Sequence, residues 1–253
     1  MHKPVASLVV VFVLAACSSG SPTSSTPPSG ATTNPPDTTV AVGTSETSAR
    51  PTGPEGITFP TGDGLVLEGR IVGSGSTWVV LGHMLPADMT SWFPFAEAAA
   101  SAGYTALTYN NRGYGDSDGD KNDPRLATDA EAALQVARSR GAQRIFFFGA
   151  SMNGAAALAV AAAGELAGIA TLSGVPEFGD TNGIDVISGI EEPKLFVAAQ
   201  DDFGAVDDAR EFFDRSSEPK ELLIFDVGGH GTDMFGANEG LLTETLLRFI
   251  ADH

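Results

Sequence analysis

One short segment, residues 144–163, places the tightest constraint on what this chain can fold into. It begins with an apolar run from Arg144 to Phe148, whose composition is typical of a buried strand. Small residues suited to a helix follow from Ala155 to Ala163. The chain must therefore turn sharply near Gly149, and Ser151 lies on that turn. Such a turn exposes the serine hydroxyl and directs the positive N-terminus of the helix toward it.

Strand-like and helix-like segments alternate through residues 56–253. Short runs rich in apolar and β-branched residues predict seven strands, at residues 65–72, 78–81, 104–109, 145–148, 168–172, 194–198 and 221–225. Residues with helical spacing or composition predict five helices, at residues 92–102, 124–140, 155–163, 205–214 and 238–251. This alternation predicts an α/β fold with a mostly parallel, doubly wound sheet covered by helices on both faces.

Polar residues follow several of these strands, and parallel strands bring their carboxyl ends to one edge of a sheet. A serine hydroxyl there needs a base, usually histidine, before it can act as a nucleophile. The sequence has four histidines, of which His2 and His253 lie at its ends. His83 follows an early strand, and we interpret it as a residue that braces its loop. His230 lies between glycines after the last strand, and we predict that it is the base.

A catalytic histidine needs a carboxylate that holds its ring in the right tautomer. The strand end that falls between Ser151 and His230 in the sequence supplies Asp201 and Asp202. We predict that Asp202 is this acid, with Asp201 as the alternative. Either aspartate could instead cap the helix that starts near Gly204, and we expect one of the two to do so.

The order Ser151, Asp202, His230 resembles the nucleophile, acid and histidine order of the α/β-hydrolases. The segment from Leu81 to Pro86 is similar to their His-Gly oxyanion loop, and Asn111 to Ser117 is similar to their Arg-Gly-x-Gly-x-Ser segment. The similarity extends over nearly all of the predicted α/β domain. It implies an α/β-hydrolase of the serine esterase or lipase type, which acts on an acyl substrate without a metal or other cofactor.

In these enzymes two backbone N–H groups hold the oxyanion, one after the serine and one in the early loop. The resemblance assigns these roles to Met152 and to Leu85 or Met84. Two residues depart from the family pattern: Asn153 stands where the second glycine of Gly-x-Ser-x-Gly belongs, and Met84 replaces the glycine of His-Gly. These departures leave an alternative function open, namely a catalytically silent protein of this fold that binds ligands at the cell surface.

Two loops beside the predicted site carry no predicted chemistry. The segment between Gly174 and Lys194, where many α/β-hydrolases carry a lid, is short and holds at most one small helix, at about residues 183–190. We therefore expect little or no lid and an open site that favours small, soluble acyl substrates. In the segment similar to Arg-Gly-x-Gly-x-Ser, we expect Arg112 and Asp116 to pair or cap within their loop.

The first 17 residues resemble the signal peptide of a bacterial lipoprotein. A basic start is followed by an apolar run from Val5 to Ala16, which is too short to span a bilayer as a helix. It ends at Cys17 in a Leu-Ala-Ala-Cys tetrad similar to a lipobox; the alternative is an ordinary secretory signal that contains a cysteine. Residues 18–55 are rich in Ser, Thr and Pro and predict a disordered tether. We expect lipid on Cys17 to anchor the protein to the extracytoplasmic face of the cell membrane.

The charge limits the range of partners, and the cysteine count limits how the fold can be held together. The chain carries 14 basic and 32 acidic residues, a net charge of −18. A surface this acidic repels phosphates, so we predict no nucleic-acid partner. The chain has one cysteine, so the core alone must hold the fold without an internal disulfide. We expect a monomer whose partners are a small acyl substrate and, through the lipid, the membrane.

Overall fold

Eight strands form one mixed sheet, and two shorter strands form a separate hairpin. The structure, a computed structural model, describes residues 54–179 and 181–253. In chain order the strands are β1 (Glu55–Pro60), β2 (Val66–Gly73), β3 (Thr77–Gly82), β4 (Thr105–Tyr109), β5 (Arg144–Ala150), β6 (Gly168–Leu172), β7 (Glu177–Phe178), β8 (Thr181–Asn182), β9 (Lys194–Ala199) and β10 (Lys220–Phe225). The α-helices are α1 (Phe93–Ser101), α2 (Leu126–Ser139), α3 (Met152–Ala161), α4 (Ala205–Arg215) and α5 (Met234–Asp252). Short 3₁₀ helices cover Met89–Trp92, Ile187–Gly189 and Gly231–Asp233.

The order of strands in the large sheet is β1-β2-β4-β3-β5-β6-β9-β10. The pairs β1–β2 and β2–β4 are antiparallel, whereas every pair from β4 to β10 is parallel. The carboxyl ends of β3, β5, β6, β9 and β10 therefore lie at the same edge of the sheet. This architecture confirms the predicted mostly parallel sheet covered on both faces.

The central strand β5 shows why such strands read as continuous apolar runs. Phe147 packs in a cluster with residues of α2, α3 and α4 on one face of the sheet. Phe146 and Phe148 pack in a second cluster with residues of α1 and α5 on the other face. Because successive side chains of a strand point to opposite faces and both faces are covered, no position of β5 needs a polar residue.

The structure extends or adds several elements. β1 was not predicted; it begins at Glu55, the last residue of the predicted tether, and lies at the edge of the sheet. Helix α3 begins at Met152 rather than Ala155, so the turn that holds Ser151 is tighter than expected. The segment after Gly174 holds the β7–β8 hairpin, which was not predicted, and one short 3₁₀ helix at Ile187–Gly189, within the predicted bounds of at most one small helix.

Residues 1–53, with the predicted signal peptide, Cys17 and most of the predicted tether, lie outside the described residues. Among the helices that the structure does describe, none is long and apolar enough to cross a membrane.

Candidate active site

Ser151 is the single residue between the end of β5 and the start of α3. Its backbone has φ 50° and ψ −113°, a conformation that L-residues rarely adopt. Two glycines make the turn possible. A Cβ on Gly149 would overlap the backbone of Asn153, and a Cβ on Gly154 would overlap the backbone of Gly174. Gly154 therefore provides close packing on the α3 side of the turn, one position later than the family pattern places its second glycine.

Asn153 occupies that earlier position, and its side chain is buried and hydrogen-bonded. Its Nδ2 donates to the backbone oxygen of His83 at 2.6 Å, and its Oδ1 accepts from the Tyr109 hydroxyl at 3.2 Å. Gly82 makes room for the amide, because a Cβ on Gly82 would lie 2.6 Å from Asn153 Cγ. The asparagine therefore joins the first turn of α3 to the loop after β3 and to the end of β4.

His83 braces the same loop from the other side. Its Nε2 lies 3.1 Å from the backbone nitrogen of Asn111, which can only donate, so Nε2 is an acceptor and the proton lies on Nδ1. Nδ1 then donates to the backbone oxygen of Met84 at 3.0 Å. Burial lowers the pKa of His83 to about 4, which keeps the ring neutral near pH 7. No role was predicted for Asn111 from the sequence; its signals in the sequence are its place just after β4 and at the start of the segment similar to Arg-Gly-x-Gly-x-Ser.

The loops after β9 and β10 bring together the predicted acid and base. His230 Nδ1 lies 2.9 Å from Asp202 Oδ2, and the two side chains are 38% and 11% exposed. With Nδ1 engaged in this way, Nε2 is left as the ring nitrogen that can meet a substrate or a nucleophile.

Asp201 bonds to backbone rather than to the histidine ring. Its Oδ1 accepts from the N–H groups of Gly228 and Gly229 at 2.9 and 3.0 Å. The hydrogen bond from Gly229 lowers the pKa of the Asp201 carboxyl, and the bond from Gly228 acts in the same direction. The expectation that one of the two aspartates caps the following helix is wrong. Gly204 occupies the N-cap of α4, and no side chain bonds there.

The loop that carries His230 packs directly against the turn that carries Ser151. A Cβ on Gly231 would lie 3.5 Å from the Cβ of Ala150 and 2.6 Å from the Met84 sulfur. The Gly231 N–H donates to the Ser173 hydroxyl at 3.0 Å. No hydrogen bond joins the hydroxyl of Ser151 to His230 among the described contacts, and such bonds are often long before substrate binds.

Arg112 lies outside this site and has more partners than its own loop supplies. Its buried guanidinium bonds to Asp129 of α2 at 2.7 Å, to Asp123 at 2.9 Å and to Asp63 at 3.1 Å. Asp116 does not pair with it; its backbone N–H donates to Glu68 at 2.9 Å. Asp123 lies with Arg112 in the loop between β4 and α2, so the expected pairing within that loop holds for this bond, whereas the bonds to Asp63 and Asp129 reach other segments. A buried guanidinium has five donors, so it needs acceptors from several segments.

Comparisons with known proteins agree with this architecture. A family model described as the alpha/beta hydrolase fold matches residues 77–187. A curated relative, the uncharacterized protein YfhR of Escherichia coli O157:H7, is 24% identical over 228 residues, which are 78% of this chain and 80% of that protein. The Pyrococcus furiosus esterase Pf2001 is similar in structure, with a TM-score of 0.70, 17% identity and coverage of 79% of this chain and 91% of its own. The esterase EaEST of Exiguobacterium antarcticum gives a TM-score of 0.68 and 17% identity, with coverage of 78% and 100%. The chain has the α/β-hydrolase fold.

Proposed function

We propose that this protein is a serine hydrolase that cleaves a carboxylic ester or a related acyl bond through an acyl-enzyme intermediate. The observation that carries the proposal is the 2.9 Å bond between His230 and Asp202, on a loop that packs against the strained turn of Ser151. Similarity to solved esterases of the same fold supports it.

In the proposed reaction, Ser151 Oγ attacks the carbonyl carbon while its proton passes to His230 Nε2. Asp202 keeps the proton on Nδ1 and stabilises the imidazolium. His230 then gives its proton to the leaving alcohol as the ester bond breaks, which leaves the acyl group on Ser151. A water molecule attacks this acyl group with His230 again as the base. The carboxylic acid departs, and Ser151 regains its proton.

Backbone N–H groups of Met152 and Leu85 are the proposed donors to the oxyanion. Met152 is the first residue of α3, so its N–H has no acceptor within the helix. In a trans peptide the N–H points away from the C=O. Met84 O faces the His83 ring, which Asn111 holds on the β4 side of β3. The N–H of Leu85 in that peptide therefore points away from the His83 ring.

The same reasoning disfavours Met84 as the donor. Its N–H shares a peptide with the oxygen of His83, and that oxygen accepts from Asn153 on the first turn of α3. The N–H of Met84 therefore points away from α3 and from the turn of Ser151.

A fluorophosphonate probe tests the proposal, because it labels a serine only when a base activates it. We expect the native protein to be labelled at Ser151, and we expect Ser151→Ala to take no label. We also expect native protein, and not the variant, to hydrolyse a short activated ester. If folded native protein takes no label and hydrolyses no tested ester, the alternative of a silent protein that binds ligands at the cell surface replaces this proposal.

We also propose that the enzyme is a lipoprotein held at the membrane by lipid on Cys17. The Leu-Ala-Ala-Cys tetrad at the end of a short apolar run supports this proposal. Cys17→Ser should release the protein from membranes or leave its signal peptide uncleaved. A Cys17→Ser protein that is processed and sediments with membranes as before would contradict it.

A further inference from the structure

The loop that carries His230 contains two glycines with positive φ, Gly229 at 69° and Gly231 at 56°. Glycines on both sides give the chain unusual freedom at the residue that must be held most accurately. The bond to Asp202 fixes one end of the imidazole, but it does not fix the backbone from which the ring projects. The backbone on each side of His230 therefore needs acceptors of its own.

Ser173 provides one of these acceptors. It follows β6 directly, is buried, and accepts the N–H of Gly231 at 3.0 Å. On the other side of His230, Asp201 Oδ1 accepts the N–H groups of Gly228 and Gly229. The two side chains bond to backbone groups before and after the histidine, and neither bonds to the ring.

Ser173 also has a strained backbone, with φ 46°. Glycine adopts this conformation without a steric penalty, whereas serine does not. The hydroxyl is the feature that glycine could not supply at this position. Strain of this kind persists where the surrounding structure imposes it, and it occurs preferentially at functional sites. Ser151, with φ 50°, is the neighbouring example, directly after β5.

We propose that Ser173 and Asp201 are positioning residues that hold the backbone on both sides of His230, so that its imidazole stays aligned between Ser151 and Asp202. This inference rests on the proposed hydrolase function, since it assigns His230 the role of base. Removal of either acceptor should leave the chemistry intact but lower the fraction of molecules in which His230 is aligned.

Ser173→Gly separates this role from a merely structural one. The substitution relieves the strained φ but leaves the buried N–H of Gly231 without its acceptor, so the two effects on stability oppose each other. We expect Tm to stay close to the native value while kcat falls about tenfold and KM is unchanged. Ser173→Ala removes the hydroxyl but keeps the strain, so kcat should fall equally at a Tm below that of Ser173→Gly. Asp201→Ala should lower kcat by a similar factor.

Glu165→Gly is the matched control. Glu165 has φ 80° and an exposed side chain in the loop between α3 and β6, outside the site. This substitution should relieve strain as Ser173→Gly does, and it should leave kcat and the rate of fluorophosphonate labelling unchanged.

The rate of fluorophosphonate labelling of the full chain gives the decisive readout. A native protein that labels, with slower labelling of Ser173→Gly and of Asp201→Ala, supports the inference. Equal labelling rates for native protein and both variants would overturn it, as would a Ser173→Gly variant whose lower kcat comes with a Tm at or below that of Ser173→Ala. If native protein takes no label at all, the proposed hydrolase function itself fails, and this outcome is distinct from the others.

Discussion

The two halves of the site differ in their exposure to water. The elbow half is formed by His83, Ser151 and Asn153, and the histidine half is formed by Asp202 and His230. All three side chains of the elbow half are buried, and hydrogen bonds tie His83 and Asn153 to core backbone. The His230 side chain is 38% exposed and reaches the site from a loop rich in glycine. Removing a partner costs more where water cannot replace it. Changes to His83 or Asn153 should therefore reduce stability together with activity, and changes in the histidine half should reduce activity alone.

The largest expected effect joins the two halves. Ser151→Ala and His230→Ala should each lower kcat for a short activated ester by about 10⁵- to 10⁶-fold, and the double variant should be little worse than either. The reason is that a hydroxyl without a base, or a base without a hydroxyl, leaves the same residual activity. Steady-state kinetics on the three variants measure this. Effects that multiply in the double variant would show that the two residues do not act as a unit.

Asp202→Asn tests the histidine half alone. Loss of the carboxylate that orients the histidine should lower kcat by about 10⁴-fold, as it does in serine proteases, while Tm stays nearly unchanged because the pair is partly exposed. Asp226→Asn is the matched control, since Asp226 is an exposed carboxylate just before the histidine loop. A large loss of stability in Asp202→Asn would break the contrast between the halves. A loss of turnover in Asp201→Asn, and not in Asp202→Asn, would move the acid to Asp201.

The fold was predictable from sequence because the strands are buried on both faces. Composition alone indicates burial for the run of phenylalanines in β5 and for the small residues of α3. β1 was missed for the opposite reason. It is a largely exposed edge strand with Pro60 at its end, next to a Pro-rich segment, so its composition differs little from that of a loop.

Within the site, the group that each residue bonds to was harder to predict than the strand end at which the residue lies. Asp201 and Asp202 are adjacent and chemically alike, and only the backbone path after β9 decides that one meets the His230 ring and the other meets the Gly228 and Gly229 N–H groups. The room for Asn153 depends on the missing side chain of Gly82, a residue distant in sequence. Complementarity between residues so far apart in the chain leaves no local sequence pattern from which the contact could be predicted.

The pH dependence of stability gives a further test of the contrast between the two halves, through His83 in the elbow half. The pKa of His83 is lowered by burial from 6.5 to about 4. Above pH 6.5 the ring is neutral in the folded and the unfolded chain, so it adds no pH dependence. As the pH falls from 6.5 toward 4, the unfolded chain takes up a proton that the folded protein does not, and stability drops by about 3 kcal/mol.

Denaturant unfolding of native protein and His83→Gln between pH 7 and pH 4 measures this effect. Glutamine does not titrate, so the stability difference between the two proteins should shrink by about 3 kcal/mol as the pH falls. The other titrating groups are common to both proteins and cancel in the difference. A difference that stays constant over this range would mean that His83 takes up its proton without resistance from the fold.

The smallest expected effect on turnover comes from Asn153→Gly, which restores the residue of the family pattern. It should nevertheless lower kcat about tenfold and stability by ~2 kcal/mol, because the oxygen of His83 loses its donor and the loop with the Leu85 N–H is less well held. KM should not change, since the lost alignment matters only as the oxyanion forms. Tyr109→Phe is the control: it removes a weaker, 3.2 Å partner of Asn153 but keeps the bond to His83, so kcat should be nearly normal. An Asn153→Gly variant as active as native protein would show that the amide only fills space, and that the elbow half needs no side chain to hold its oxyanion loop.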